Sequence, residues 1–257
     1  MLTNARAKCQ QGSLIAMVKG IKSGEVCKVL EQIPIGKRQQ VKEVSVDMAN
    51  SMEKIACTSF PNASVVTDRF HVAKLISEAV QEIRIKHRWE AIEEENLAIK
   101  EAKKSGTRYN APVFENGDTK KQLLARSRYL LFKPPNKWTP SQQLRAEILF
   151  NEYPDIKNAY KLSLMFRNIY ETSRSKSQAS ENLDKWNEKV KQYGLDPFET
   201  ASASINSHKE TILNFFVNRT TNALAESFNS KIKAFRSVFR GVRDVKFFLY
   251  RVSLIFA

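Results

Sequence analysis

Between Ser13 and Phe70 strand-like and helix-like runs alternate, and beyond Phe70 the strand pattern stops. No other feature limits the possible folds of this chain as tightly. Ser13 to Gly20 (SLIAMVKG) is a short apolar run of the buried-strand kind, and Ser23 opens a helix through Leu30 with Val26, Val29, Leu30 and Ile33 on one side. Pro34, Gly36 and the charged residues up to Lys42 form a turn. Val44 and Val46 then alternate with polar neighbours in a second strand that ends at Asp47. Ser51 starts a helix whose Met52, Ile55, Ala56 and Phe60 share a face, and Pro61-Asn62 stops it. The third strand, Ser64 to Val66, runs straight into Asp68-Arg69-Phe70-His71. Such an alternation predicts an α/β unit with parallel strands, in which chemistry gathers where strands end at their carboxyl edge. Asp47 and Asp68 both sit at such ends.

From Phe70 onward the spacing is helical. Leu75, Ile76, Ala79, Val80, Ile83, Trp89 and Ile92 extend one long helix into the charged segment Glu93 to Lys104. Ser105 to Asp118, with Gly106, Pro112 and Gly117, is a loop. Helical patterns resume over Thr119–Leu131, Ser141–Glu152, Asp155–Thr172 and Glu181–Tyr193, punctuated by Pro134-Pro135 and Asp196-Pro197. At the other end of the chain, Met1 to Gly12 is polar and basic, with a hairpin tip at Lys8 to Gly12. The middle block therefore reads as a helical insertion into one α/β domain: residues 1–70 and 211–257 belong to the domain, and residues 71–210 to the insertion.

Near the end lies Asn218 to Arg240, NRTTNALAESFNSKIKAFRSVFR. Leu224, Phe228, Ile232, Phe235 and Phe239 form the apolar stripe of an amphipathic helix, and Gly241 suits its left-handed close. Asn222, Glu226, Asn229 and Lys233 repeat on the opposite face, with Arg219 and Arg240 beyond. From Phe216 to the end, Arg219, Lys231, Lys233, Arg236, Arg240, Arg243, Lys246 and Arg251 face only Glu226 and Asp244. Periodicity alone is satisfied by a solvated surface. So many bases without acidic partners suit external anions, and a lone Glu among them suits a cation or a catalytic role.

Composition narrows the partner. The 257 residues carry a formal charge of +15, and 42% are hydrophobic, which is globular rather than disordered. A chain this basic expects polyanions, with DNA first and an anionic membrane surface a distant rival. No long uncharged apolar run or leader is seen, so neither a membrane span nor secretion is expected. Cys9, Cys27 and Cys57 are scattered, and with only His71, His87 and His208 they make no zinc module. They read as reduced cytoplasmic thiols, and no small-molecule cofactor is indicated.

Two-metal phosphoryl transfer needs carboxylates converging from separate elements, which Asp47 on a strand end and Glu226 on a helix could supply. An Asp in that place equally caps the next helix. Asp68 and His71, three apart, either cap and pack a helix start or shape a site. Lys86, His87, Arg88 and Trp89, and Arg126, Arg128 and Tyr129, put cations beside aromatics that could stack on bases. The simpler reading places Trp89 and Tyr129 in the cores of their helices.

The runs VKEVSVDM, FPNASVVTDRFHV, RIKHRW and NRTTNALAESFNSKIKAFRSVFRGVRDVKFF, in this order, resemble the insertion-sequence transposases of the ISL-three type over essentially the whole chain. DRFHV and the N-x-x-A-E-S-x-N-x-x-I-K core from Asn222 to Lys233 are its most specific parts. The resemblance implies a ribonuclease-H-like fold with a helical insertion and a DDE triad binding Mg2+ or Mn2+. Asp47 matches the second Asp, Glu226 the final Glu, and Asp68 and His71 the Asp-x-x-His signature. Arg219, Asn222, Asn229, Lys233, Arg236 and Arg240 then become DNA contacts. The partners implied are transposon ends, target DNA and further copies of the chain, in a bacterial cytoplasm and on the nucleoid when DNA-bound. The family's first Asp lies on an opening strand, whereas the only acids here before Asp47 are Glu25, Glu31 and Glu43. The family's amino-terminal zinc-binding and helix-turn-helix region is also unmatched. The expectation is a copy whose core lacks its first strand and which is inactive alone, the alternative being a non-catalytic DNA-binding remnant or regulator.

Overall fold

The computed structural model of the chain describes residues 2–3, 14–18, 20–219, 223–238 and 244–256. It is a mostly helical α/β protein with little sheet. Contacts divide it into two compact units, Met1–His71 with His208–Ala257, and Val72–Ser207.

In the first unit, β1 (Leu2–Thr3) pairs antiparallel with β2 (Leu14–Ala16). Helices α1 (Ser23–Leu30) and α2 (Ile35–Arg38) follow, then β3 (Glu43–Val46), α3 (Asn50–Ser59) and β4 (Ser64–Thr67). Strands β3 and β4 are parallel, with Val46 opposite Thr67. A parallel pair needs a crossover, and α3 provides it: Ile55 and Phe60 bury against Cys27 and Leu30 of α1, with Val44, Met52 and Ala63 packed around them. The expectation of three strands in one parallel arrangement is corrected. Strand β2 hydrogen-bonds to β1 in a separate two-stranded sheet, because a three-residue strand finds its partner in the nearby hairpin arm. The hairpin tip itself lies outside the described residues.

The chain returns to this unit at His208, through α10 (Lys209–Leu213) and α11 (Phe215–Asn218). Its return is fixed by polar side chains at helical spacing. His208 Nδ1 lies 3.2 Å from Glu53, the Asn214 amide donates to the Val65 carbonyl at 2.9 Å, and Asn218 donates to Glu43 at 3.0 Å. Buried Thr67 and Thr211 meet at 2.8 Å. The Thr211 hydroxyl spends its proton on the His208 carbonyl, so Thr67 is the donor in that pair. Thr211→Val should therefore strand a buried hydroxyl and cost about 1–3 kcal/mol in denaturant unfolding, more than Thr67→Val, which leaves Thr211 satisfied. Equal costs would contradict this assignment. Beyond, α12 (Ala223–Val238) and α13 (Val245–Phe256) pack Ile232, Phe235, Phe248 and Val252 against Leu14 and Met17.

The second unit is helical. Helix α4 (Arg69–Lys104) enters it, followed by α5 (Lys120–Arg126), α6 (Pro140–Glu152), α7 (Pro154–Thr172), α8 (Lys176–Tyr193) and α9 (Asp196–Ser207). Thr119 and Thr139 start α5 and α6 with capping boxes closed by Gln122 and Gln142. Gly194 ends α8 in the left-handed conformation, at φ 59°. Fully buried Trp186 anchors the core, donating to the Leu162 carbonyl at 3.0 Å and touching Phe166 and Phe198. Asp196-Pro197, expected as punctuation, opens α9 instead, since a proline in a first helical turn sacrifices no hydrogen bond.

Candidate functional site

Asp47 and Asp68 each follow the last residue of a parallel strand, and the register Val46↔Thr67 sets them side by side at the carboxyl edge. The Asp68 amide donates to the Val46 carbonyl at 2.7 Å, which ties the two ends together. Each carboxylate also organises its own turn. Asp47 Oδ1 accepts from the Ala49 amide at 3.0 Å, an Asx turn that leads into α3 without capping it. Asp68 Oδ1 accepts from the Phe70 amide at 3.0 Å and so caps α4. The second oxygen of Asp47 has no hydrogen bond or ion pair among the described residues.

His71 stands a turn into α4, its Nε2 at 3.9 Å from Asp68 Oδ2, too far for a hydrogen bond, with its ring edge-on to Phe70. The helix-capping reading of Asp68 is therefore met, and it is compatible with a site because one carboxylate oxygen still faces His71.

The basic segment is only partly described. Arg219 is not part of the long helix: at φ 52° it terminates α11 in the left-handed region, with its guanidinium 6.0 Å from the Phe216 ring centroid. Lys233 and Arg236 are exposed on α12, while Ile232 between them and the apolar face is buried, as the stripe demands. Glu226 and Asn229 lie on α12 with side chains outside those described; Asn222 and Arg240 lie outside the described residues altogether. Among the described residues no three His, Cys, Asp or Glu side chains converge as a metal site. Asp47 and Asp68 are adjacent in the backbone at the strand ends, each with one carboxylate oxygen engaged in its own turn.

In the helical unit, the cations beside aromatics divide into two classes. His87 is bound internally, to Glu90 at 2.9 Å and Asp155 at 2.5 Å, and Arg126 is paired with buried Asp118. Trp89 and Tyr129, expected in helix cores, are instead 61% and 66% exposed. The buried stripe of α4 runs through Val72, Ile76, Ala79, Val80, Ile83 and Ala91, and Trp89 points away from it.

The family model described as Transposase, that of the ISL-three DDE type, matches residues 1–252. The chain belongs to that transposase family. A transposase for insertion sequence element IS1001 from Bordetella parapertussis is 22% identical over 227 residues, covering 88% of this chain and 50% of its own length. A transposase for insertion sequence element IS1557 from Mycobacterium tuberculosis is 24% identical over 206 residues, covering 80% of this chain and 45% of its own. The chain thus spans about half the length of the curated transposases it matches. No solved structure matches it. Among the described residues no helix is long and apolar enough to cross a membrane.

Sequence reasoning overlooked the stripe His208, Thr211, Asn214 and Asn218, which ties α10 and α11 to β3, β4 and α3 within the first unit. Its signal was present as polar residues at steps of three and four beside the apolar Ile212, Leu213, Phe215 and Phe216.

Proposed function

We propose that this chain is the catalytic region of a DDE-type transposase, a ribonuclease-H-like core interrupted by the helical unit. The observation that carries this reading is the adjacent placement of Asp47 and Asp68 at the carboxyl ends of two parallel strands, in a chain matched by a transposase family over residues 1–252. Asp47 and Glu226 would ligate divalent cations, Mg2+ or Mn2+. Ions held there would supply Lewis acidity to a water or 3′-hydroxyl nucleophile and to the leaving oxygen of the scissile phosphate. The chain's own part is positional. The Ala49 amide holds one Asp47 oxygen and leaves the other for a ligand, while Asp68 and His71 set the start of α4 beside it. Arg219, Asn222, Asn229, Lys233, Arg236 and Arg240 would grip phosphates of the element's ends and of target DNA, placing this activity in the cytoplasm of a bacterium. The test is Mn2+-dependent nicking of supercoiled DNA by the wild type and by Asp47→Asn and Glu226→Gln. Cleavage that survives either substitution sinks the assignment.

A second reading, a basic DNA-binding protein without cleavage, is favoured by the +15 charge. It predicts binding that needs no metal. Both readings expect salt-sensitive affinity, and Lys233→Ala with Arg236→Ala should lower the slope of log K against log salt by about 2, roughly one per phosphate contact. An unchanged slope in a titration from low to physiological salt would remove α12 from the interface.

A further inference from the structure

We infer that exposed Arg88 and Arg128, beside buried Arg84 and each next in sequence to an exposed ring, Trp89 and Tyr129, form a site on the helical unit for a single DNA strand with unpaired bases: the two exposed guanidinium groups take its phosphates and the two rings stack on its bases. This extends the DNA binding proposed above to a place that uses neither Asp47 nor Glu226.

Arg84 is the anomaly that points to an absent anion. Its residue is 3% exposed, yet its partners are all neutral: Nε donates to Gln81 Oε1 at 2.7 Å and a terminal nitrogen donates to the Leu124 carbonyl at 2.8 Å. Gln81 in turn reaches the Arg128 carbonyl at 3.4 Å, binding α4 to the turn after α5. None of the three arginines has an ion-pair partner among the described residues. Burial, and then the like charges of Arg88 and Arg128, lower the Arg84 pKa to about 10. A buried cation pressed by two others is unfavourable until a counter-charge arrives. Nearby ion pairs join Lys120 to Glu94, Lys121 to Glu95, and Arg126 and Arg145 to Asp118. The three-arginine cluster is left for something external.

The rings choose among anions. Tyr129 is exposed with the Arg128 guanidinium 5.5 Å from its centroid, and Trp89 adjoins Arg88 with Ile85 exposed one turn before it. A phosphate by itself has no use for those faces. In a duplex the faces of the bases are already stacked, whereas unpaired bases present them to aromatic side chains.

The test is fluorescence anisotropy with a labelled oligothymidine and a duplex of equal length, in metal-free buffer, so that it reads nothing about nicking. The wild type should prefer the single strand. Trp89→Ala and Tyr129→Ala should each weaken single-strand binding about tenfold with little effect on the duplex. Arg88→Ala should weaken both and lower the salt slope by about one. These side chains are exposed, so thermal melting should be unchanged, and Arg84 itself need not be altered. Equal affinity for single strand and duplex, unaltered binding in both aromatic variants, or displacement by millimolar inorganic phosphate overturns the inference. Failure here leaves the Asp47 and Glu226 assignment untouched, and failure of nicking leaves this site untouched.

Discussion

Asp47→Asn is expected to lower Mn2+-dependent DNA nicking at least about a hundredfold. A bound metal's stabilisation of a phosphoryl-transfer transition state is worth several kcal/mol, and about 1.4 kcal/mol is tenfold in rate. Asn is the informative replacement because its side-chain oxygen can still accept from the Ala49 amide, so the turn into α3 is kept while the charge is lost. Glu226→Gln should act the same way from α12, shortening no side chain and removing one negative charge. The two effects should not add, because ligands of one metal cluster fail as a unit. Nicking is read from the conversion of supercoiled to open-circular plasmid, with circular dichroism to show that the helices persist. If either variant keeps more than about a tenth of wild-type cleavage, that residue is not a ligand, since losing one would cost several kcal/mol.

The second large effect is structural. Asp118→Ala should destabilise the helical unit by about 3 kcal/mol, the lower end of what breaking a buried ion pair costs. The Asp118 carboxylate is buried and takes Arg145 Nε at 2.7 Å, Asn116 Nδ2 at 3.0 Å and a contact from Arg126. The lower end applies because the Arg126 side chain is about half exposed and partly screened by water. Removing the acid strands two guanidinium groups beside the loop that leads into α5.

The same acid gives a pH dependence. Burial pushes its carboxyl up, but hydrogen bonds and charge from Arg145 and Arg126 outweigh that and hold it below the ordinary 3.8. A folded pKa below the unfolded one means that its stabilisation is complete above 3.8 and is lost as pH falls through the depressed folded value. Wild-type stability should therefore fall in that acid range by more than that of Asp118→Ala. Denaturant melts followed by the fluorescence of buried Trp186, which lies in the same unit, would read both effects. Parallel pH profiles for the two proteins would show that Asp118 contributes nothing through its charge.

The first α/β unit was legible because each of its elements is locally consistent. Val44 and Val46 alternate, Ile55 and Phe60 share a face, Pro61-Asn62 separates α3 from β4, and an Asp follows β3 and β4. Strand partners were not legible. Leu14 to Ala16 has the same apolar character whether it joins β3 or β1, and hydrogen-bond pairing is a choice made between distant segments. Trp89 was misassigned for a similar reason. In α4, apolar residues occur on more than one side, and only the packing of α5 against Arg84 and Gln81 settles which side is inside.

The sequence by itself determined the alternation of β3, α3 and β4, the long α4 and the basic carboxyl-terminal segment, because these rest on local periodicity and charge, and its motifs carried the resemblance to the transposase family; it read α2 as a turn and did not find β1. Only the tertiary structure decided three further things. Asp47 and Asp68 stand beside each other, because a parallel register is set by a crossover that buries α3. The chain returns to β4 after the helical block, because His208, Thr211, Asn214 and Asn218 find partners 144 to 175 residues earlier. Arg84 is enclosed among neutral acceptors with two more arginines beside it, because burial belongs to the packed unit and not to the residue.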